Sequence, residues 1–249
     1  MIMDASKVTR SRIVVLASGT AKGGGSGFRE LVEYSSTVPA VLDADIVGVA
    51  SNHANGGVRK YADALGIKFI HLPTPVTAKA YQALVKYFNA DYVMCSGWLF
   101  PVSGLDPART LNIHPALLPR FGGQGMWGHH VHEAVMAAYD RCEIIQSGVT
   151  IHFVTDFEEQ KAGGVKDPYD KGPIICYFPV KIRFEDTPES LAVHVNEVER
   201  FVQSRVLNLI VHGEICMHDD HAGYTPKAKH AIAGMGGVIP NGHSRFAKS

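Results

Sequence analysis

The chain has 249 residues, of which 46% are hydrophobic, and Lys plus Arg equal Asp plus Glu at 24 each. A single α/β domain routinely reaches this length, and the apolar content can fill a complete core. The formal net charge of zero argues against a nucleic-acid backbone or an anionic membrane surface as a partner, so any bound phosphate must be held locally.

The cysteines and the N-terminal segment bear on the compartment. The cysteines lie far apart and form no CxxC pair, and we interpret them as reduced, mostly buried thiols: Cys95, Cys142, Cys176 and Cys216. No segment approaches the ~20 apolar residues of a membrane span, and residues 1–10 lack the apolar core of a signal peptide. We therefore expect a soluble, cytoplasmic protein with no membrane partner.

The first half of the chain alternates β-branched apolar runs with segments of helical periodicity. The predicted strands are 12–17, 45–50, 68–71 and 91–95. The predicted helices are 28–34, 57–65 and 78–88. This alternation predicts a Rossmann-like α/β fold, with a mostly parallel twisted sheet and helices on both faces. Ligands bind such folds at the carboxyl ends of the strands, which brings three loops to one edge: 18–27, 97–103 and the segment after Leu111.

The second half has a different pattern. Two strand-like runs, 148–155 and 173–180, can pair as an antiparallel hairpin around a long functional loop. A long helix is predicted over 187–209, opened by Thr187 as the N-cap and Pro188 in the first turn. From His218 onward the chain is rich in Gly, His, Lys and Pro, and we expect an irregular or partly disordered tail.

The segment Leu111 to Arg120, LNIHPALLPR, carries the strongest chemical signal. Asn112 and His114 are two apart in a predicted strand and therefore face the same side, and Pro115 ends the strand. A carboxamide and an imidazole in this arrangement suit a tetrahedral oxyanion and a proton transfer. From these residues alone, a hydrogen-bonded strand end without a catalytic role remains the alternative.

This string resembles the signature of the glycinamide ribonucleotide formyltransferases, Asn-x-His-Pro-(Ser/Ala)-Leu-Leu-Pro. At the position of Pro115, transfer-RNA formyltransferases typically have Gly, and formyl-folate hydrolases typically have a second His. The resemblance covers most of Ile13 to His218 and includes SGVTIHFVTD at 147–156 and Asp-Lys-Gly-Pro at 170–173. It implies the formyltransferase fold and 10-formyltetrahydrofolate as co-substrate, with no metal.

The resemblance also implies which residues are catalytic. Asn112, His114 and Asp170 correspond to the family's catalytic trio, and His152 to a supporting residue. Asn112 would donate to the oxyanion, and Asp170 would orient His114 or a bound water. Segment 157–169 is longer than the usual spacing in the family, so Asp156 and Asp167 compete with Asp170 for this role.

Two groups of residues correspond to the ribonucleotide site of the family. The phosphate loop corresponds to Gly25, Ser26 and Gly27, although the loop here is longer and Gly27 replaces the family's Asn. Asn196 and Glu199 match positions that contact the glycinamide and the ribose. A solvated helix face is the alternative for Asn196.

The folate site of the family corresponds to an apolar segment after the fourth predicted strand. Its predicted members are Trp98, Leu99, Phe100 and Val102, and Phe100 stands where the family has Arg. The resemblance adds Arg109 and Asp156 as possible folate contacts.

Near this segment, the histidines His129, His130 and His132 begin an amphipathic helix without accompanying Cys or carboxylate ligands, so we do not predict zinc there. In the insertion 121–128, Met126 and Trp127 are interpreted as packing residues or a lid.

Together these features predict formyl transfer from 10-formyltetrahydrofolate to the amine of glycinamide ribonucleotide, in purine synthesis. Three alternatives stay open: a 10-formyltetrahydrofolate hydrolase, an amino-sugar nucleotide formyltransferase, and a non-catalytic nucleotide-binding homologue. We expect small-molecule substrates, no nucleic acid, and a monomer or homodimer. The predicted organisation is one domain over 1–217, with a nucleotide-binding half at about 11–110, a folate and catalytic half at about 111–217, and the tail 218–249.

Overall fold

The computed structural model describes residues 10–240. Its strands are β1 (Ser11–Leu16), β2 (Ala44–Ser51), β3 (Phe69–His71), β4 (Tyr92–Ser96), β5 (Thr110–His114), β6 (Gln146–Phe153), β7 (Ile174–Lys181), β8 (Ile215–His218) and β9 (His221–Tyr224). Its helices are α1 (Ser26–Ser35), α2 (Gly57–Leu65), α3 (Ala78–Phe88), α4 (His129–Asp140), α5 (Phe157–Ala162), α6 (Pro188–Val211) and α7 (Pro226–Gly234). A 3₁₀ turn at Pro107–Arg109 leads into β5.

A seven-stranded sheet in the order β3-β2-β1-β4-β5-β6-β7 forms the centre of the molecule. The first five strands of the sheet, β3, β2, β1, β4 and β5, are parallel to one another. Strand β6 pairs antiparallel with both β5 and β7. The predicted Rossmann-like architecture is confirmed, and so is the antiparallel pairing of the two late strands. The neighbours of β1 are β2 and β4, so the strand order reverses there, and a crevice opens at the carboxyl ends of β1 and β4.

Helices cover both faces of the sheet, as the unbroken apolar runs predicted. Along β1, Ile13 and Val15 pack in one apolar cluster, whereas Val14 and Leu16 pack in another on the opposite face. The first cluster contains buried residues of α1, α2, α4 and α6, and the second contains those of α3. A strand buried on both faces has no polar alternation, which is why these strands read as continuous hydrophobic runs.

The long predicted helix forms as α6 and packs against α1 and α4. Thr187 is its N-cap: the Thr187 side chain accepts a hydrogen bond from the Ser190 amide, and the Ser190 side chain accepts one from the Thr187 amide. This reciprocal capping box, with Pro188 in the first turn, fixes where the helix begins. No helix among residues 10–240 is long and apolar enough to cross a membrane.

The predicted irregular tail is wrong for the part of the tail that the structure describes. The hairpin of β8 and β9 is followed by α7, whose N-cap Thr225 accepts from the Ala228 amide. Val238 then pairs with Tyr177 on the edge strand β7. Ile232 of α7 is completely buried, so apolar contacts with the main core, which local composition does not reveal, order this segment. Residues 241–249 lie outside the described part, and the division of the domain near residue 110 stays a prediction.

Candidate active site

A cavity of about 560 Å³ lies at the carboxyl edge of the parallel strands. Its wall is built by the glycine-rich loop after β1, the loop after β4, the end of β5, and one face of α6. It brings together most of the predicted site residues: Gly25, Ser26, Gly27, Trp98, Leu99, Phe100, Val102, Asn112, His114, His152, Asp170, Asn196 and Glu199. Arg109 and Asp156 are not among its lining residues.

Asn112 is held by its neighbour on the adjacent strand. The antiparallel register places it opposite His152, and its Nδ2 lies 3.0 Å from His152 Nε2. His152 Nδ1 is 2.8 Å from the carbonyl oxygen of Phe153 and therefore carries the proton, which leaves Nε2 as the acceptor. Asn112 Nδ2 is also 3.5 Å from Asp170 Oδ1, so the amide group points into the carboxylate and imidazole cluster.

His114 lies at the last position of β5, on the same face as Asn112, as predicted. Its Nε2 is 2.7 Å from the carbonyl oxygen of Phe121, so this nitrogen donates and Nδ1 carries the lone pair. Nδ1 lies 3.7 Å from Asp170 Oδ2. Burial lowers the pKa of His114, and the charge of Asp170 only partly offsets this effect. The imidazole is therefore neutral near pH 7.

Asp170 is the acid that completes the cluster, and its side chain is 14% exposed. Burial alone would raise its pKa, but its polar neighbours, the His152 and His114 imidazoles and the Gly123 amide, together lower the pKa to about 2. The Gly123 amide donates to Asp170 Oδ2 at 3.1 Å. Asp170 has φ of 55°, an uncommon left-handed conformation for a non-glycine residue. The carboxylate is therefore fixed and ionised.

The two competing aspartates have backbone-capping roles instead. Asp156 is the N-cap of α5: Oδ1 accepts from the Glu158 and Glu159 amides at 2.9 and 3.0 Å. Its Oδ2 accepts from the Gly104 amide. Its oxygens are occupied and it is not among the residues that line the cavity, and its predicted folate contact stays a prediction. Asp167 likewise accepts from the Gln124 and Tyr169 amides, at 2.9 and 3.2 Å.

The glycine-rich loop makes a tight turn between Thr20 and Gly23 and then leads into α1. Gly25, with φ of 89°, is the residue before the helix, and no side chain caps the first turn. The Ser26 and Gly27 amides therefore remain without helical acceptors next to the cavity. A Cβ on Gly27 would overlap Ser96 Oγ, so this position has no room for a side chain. This arrangement suits a phosphate.

One face of α6 forms the neighbouring wall, through Asn196, Glu199, Arg200 and Gln203. Asn196 Nδ2 donates to Glu199 Oε2 at 3.3 Å. Burial raises the pKa of Glu199 to about 7, and the hydrogen bond from Asn196 opposes this rise. The sequence reasoning missed Arg200 and Gln203. Their spacing from Asn196, at i+4 and i+7, was the signal that they share its face.

The segment after β4 supplies an aromatic wall. Trp98 and Phe100 are in edge-to-face contact with ring centroids 5.3 Å apart. The Trp98 indole donates to the Tyr81 hydroxyl at 2.9 Å, and that hydroxyl donates to the Pro101 carbonyl. The Leu99 amide donates to Ser18 Oγ at 3.2 Å. This wall is rigid and apolar, as a flat heterocycle requires.

Arg109 is not among the residues that line the cavity, and its predicted folate contact stays a prediction. It precedes β5, at the opposite end of the strand from His114. Its guanidinium lies 3.7 Å from Asp106 Oδ2 and 5.5 Å from the Tyr92 ring centroid. Five residues of extended strand separate the two ends by about 16 Å. A matching residue type in the sequence therefore does not place this side chain at the site.

The two predicted insertions, 121–128 and 157–169, both contribute aromatic residues to the cavity wall. Trp127 from the first and Tyr169 from the second have ring centroids 6.2 Å apart, and Phe157 contacts Tyr169 at 5.1 Å. All three line the cavity. Asp167 joins the two insertions through its bond to the Gln124 amide. The interpretation of Trp127 as a packing or lid residue agrees with this position.

The three neighbouring histidines diverge. His129 pairs with Glu133 and Glu189, and His130 with Glu133, on the exposed side of α4. His132 is buried, with 5% of its surface exposed, and lines the cavity. Within residues 10–240 no group of three His, Cys, Asp or Glu side chains is arranged to hold a metal ion.

Comparisons with known proteins agree with this fold and site. Residues 11–207 match the family described as Formyl transferase, and the chain belongs to this family. It is 33% identical over 222 residues to the chloroplastic phosphoribosylglycinamide formyltransferase of Arabidopsis thaliana, covering 85% of this chain and 69% of that protein. The corresponding protein of Vigna unguiculata is 31% identical over 223 residues, covering 86% of this chain and 65% of that protein. A phosphoribosylglycinamide formyltransferase structure from Brucella melitensis superposes with a TM-score of 0.63 at 29% identity, covering 81% of this chain and 95% of that chain.

Proposed function

We propose that this protein transfers the formyl group of 10-formyltetrahydrofolate to the amine of glycinamide ribonucleotide, a step of purine synthesis. The observation that carries the proposal is the convergence of Asn112, His114 and Asp170 in one cavity at the carboxyl end of β5. Membership of the Formyl transferase family and the names of the plant relatives support the same reaction.

In the proposed mechanism, the amine attacks the formyl carbon and a negatively charged tetrahedral oxygen develops. Asn112 Nδ2 is the amide donor directed into the cluster, and it would exchange a contact with His152 or Asp170 for the oxyanion. His152 Nε2 accepts from Asn112 and so orients the carboxamide. A donor that is already oriented costs little reorganisation when the charge appears.

His114 would manage the proton that the amine must lose. The bond from Nε2 to the Phe121 carbonyl leaves Nδ1 free to accept a proton. The resulting imidazolium would face the ionised Asp170, whose Oδ2 is 3.7 Å from Nδ1. Asp170 would thus stabilise the charged form of His114, and a bound water would carry the proton to the leaving folate nitrogen.

The two substrates would approach from opposite walls. We place the ribonucleotide along Gly25, Ser26 and Gly27 and the α6 residues Asn196 and Glu199, and the folate against Trp98, Leu99, Phe100 and Val102. A cavity of about 560 Å³ with one polar and one aromatic wall suits these two chemistries. The covering insertions would exclude water from the reacting atoms.

The test is a spectrophotometric assay with 10-formyl-dideazafolate, with and without glycinamide ribonucleotide. We expect amine-dependent turnover in the wild type, and a fall in kcat of about 10²-fold or more in Asn112→Ala and in Asp170→Asn. Asp63→Asn is the control, because Asp63 is an exposed aspartate that pairs with Arg59 on α2 and does not line the cavity. Its kcat should stay within about 3-fold of wild type.

The same assay separates the competing functions. Consumption of natural 10-formyltetrahydrofolate without any amine would identify a hydrolase and contradict the transferase. Transfer to an amino-sugar nucleotide but not to glycinamide ribonucleotide would show that the acceptor is the amino-sugar nucleotide and would contradict the proposed acceptor. No turnover with any acceptor would favour a binding protein.

We also propose that the enzyme works in the cytoplasm, as a monomer or homodimer. The free state of Cys95, Cys142, Cys176 and Cys216 supports a reducing compartment. Both plant relatives are named as chloroplastic, so cell fractionation with compartment markers is the direct test of location. Sedimentation velocity at several protein concentrations tests the oligomeric state.

A further inference from the structure

The cavity contains a cation that the sequence reasoning did not single out. Arg200 follows Glu199 on α6 and lines the cavity together with Gly25, Ser26 and Gly27. It is the only Arg or Lys among the described residues that form the wall. Because a guanidinium stays charged at all relevant pH values, Arg200 is the one permanent positive charge of this wall.

The guanidinium of Arg200 has unused donors. Its Nε is buried without a hydrogen-bond partner among residues 10–240, and its ion-pair partner Glu30 Oε2 lies 3.7 Å away, too far for a hydrogen bond. Glu30 Oε2 is also buried and unpartnered. In contrast, the Arg12 guanidinium donates to the backbone carbonyls of Phe88 and Asn89. The Arg12 donors are used in the fold, whereas Arg200 Nε remains available.

Glu30 locates Arg200 relative to the phosphate loop. It lies four residues after Ser26 in α1, and helical side chains lean toward the N-terminus of their helix. The Glu30 and Arg200 pair therefore lies over the first turn of α1, where the Ser26 and Gly27 amides lack helical acceptors. Two independent features, open amides and an unused guanidinium, thus converge on the same end of α1.

We propose that Arg200 binds the phosphate of the acceptor through a two-point, charge-assisted contact, and that it sets the preference for phosphorylated acceptors. This assignment rests on the proposed function. Gly27 provides no side-chain donor, and Ser96 leaves no space for one, so the missing donor comes from α6 instead. A planar guanidinium matches two phosphate oxygens, which gives orientation as well as affinity.

The test compares Arg200→Gln with wild type by two readouts. Calorimetric binding of ribose 5-phosphate, without folate or turnover, should weaken by about 10- to 100-fold. In the assay, KM for glycinamide ribonucleotide should rise by a similar factor with kcat within about 3-fold, and KM for the formyl donor should not change. The kcat/KM for the acceptor that lacks the phosphate should be unaffected, so selectivity for the phosphorylated form falls.

Two further variants keep the test decisive. Arg205→Gln removes a guanidinium from the same helix that stacks on Phe201 and does not line the cavity, so binding should match wild type. Arg200→Lys keeps the positive charge but loses the planar guanidinium group. Its affinity for ribose 5-phosphate should lie between those of wild type and Arg200→Gln, and this variant can be measured even if Arg200→Gln fails to fold.

Unchanged binding of ribose 5-phosphate in Arg200→Gln, or an equal loss in Arg205→Gln, would overturn the assignment. So would an equal fall in kcat/KM for acceptors with and without the phosphate. Because the binding readout needs no catalysis, a protein that bound ribose 5-phosphate through Arg200 but transferred no formyl group would contradict only the proposed function.

Discussion

His132 shows how burial changes the chemistry of a single residue. It has 5% of its surface exposed, and its Nδ1 has no hydrogen-bond partner among the described residues. Burial, with smaller effects of His129 and His114, lowers its pKa from 6.5 to about 4. Between these two values the unfolded chain binds a proton that the folded chain does not. Stability therefore falls as the pH drops through this window, and is unaffected by His132 above it.

We predict that His132→Leu reduces the acid sensitivity of the fold. Between pH 7.5 and 5.0, wild type should lose about 2 kcal/mol more of its free energy of unfolding than the variant. Urea unfolding at both pH values measures the difference. His130→Leu is the control, because His130 is 70% exposed on the same helix and should follow the wild-type pH dependence. An identical pH dependence in His132→Leu and wild type would contradict the prediction.

At the scale of an element, the loop from Asp170 to Pro173 is held against β6. The Phe153 amide donates to the Pro173 carbonyl at 2.9 Å. A Cβ on Gly172 would overlap the carbonyl oxygen of Phe153. Only glycine allows this close approach of two backbones. The position of the Asp170 carboxylate therefore depends on a residue that carries no chemistry itself.

We predict that Gly172→Ala lowers kcat/KM by about 10²-fold, because even a 1 Å displacement of a positioned group has effects of this size. Circular dichroism would confirm that the sheet remains folded. Gly163→Ala is the matched control in the preceding insertion. A Cβ there would make only contacts of 3.4 Å, so activity should stay near wild type. Equal activities of the two variants would show that Gly172 does not position Asp170.

Most elements were predictable because their signals are local. The N-cap Thr187, the glycine that ends α2 and the β-branched strand runs each act through neighbours in the sequence. The helix α5 was not predicted, because its six residues lie in an insertion and are stabilised mainly by the Asp156 cap. Short helices depend on such caps and on tertiary contacts more than on propensity.

At the scale of the whole molecule, the C-terminal segment closes the antiparallel edge of the sheet. Val238 exchanges two backbone hydrogen bonds with Tyr177 of β7, at 2.8 and 2.9 Å. Ala228 and Ile232 of α7 are fully buried in the main core. This isolated bridge pairs the backbone groups of one residue of the edge strand β7. We therefore expect the segment to unfold together with the active-site cavity.

We predict that Ile232→Ala lowers the free energy of unfolding by about 2–5 kcal/mol, because it leaves a cavity in the core. Urea unfolding followed by circular dichroism and by tryptophan fluorescence should show one coincident shift, since Trp98 and Trp127 report on the active-site cavity. Lys229→Ala, on the exposed side of α7, should not shift the transition. Fluorescence that is unchanged in Ile232→Ala would mean that the segment unfolds independently.

The sequence by itself determined most of the strands and helices up to α6, the Rossmann-like class and the strand that bears Asn112 and His114. Period-two spacing along a strand, caps and apolar runs are local properties, and the string predicted to be catalytic lies within ten residues. The sequence also identified Asp170 from its Asp-x-Gly-Pro context, but left Asp156 and Asp167 as rivals.

Only the tertiary structure decided between groups that are distant in sequence. It showed that Asp156 and Asp167 cap backbone amides, that Arg109 lies at the opposite end of β5, and that the segment after His218 is ordered. It also revealed the pairing of Glu30 with Arg200, 170 residues apart in the sequence. Such contacts depend on where the strand order and the helix packing bring side chains together, and no local pattern records that geometry.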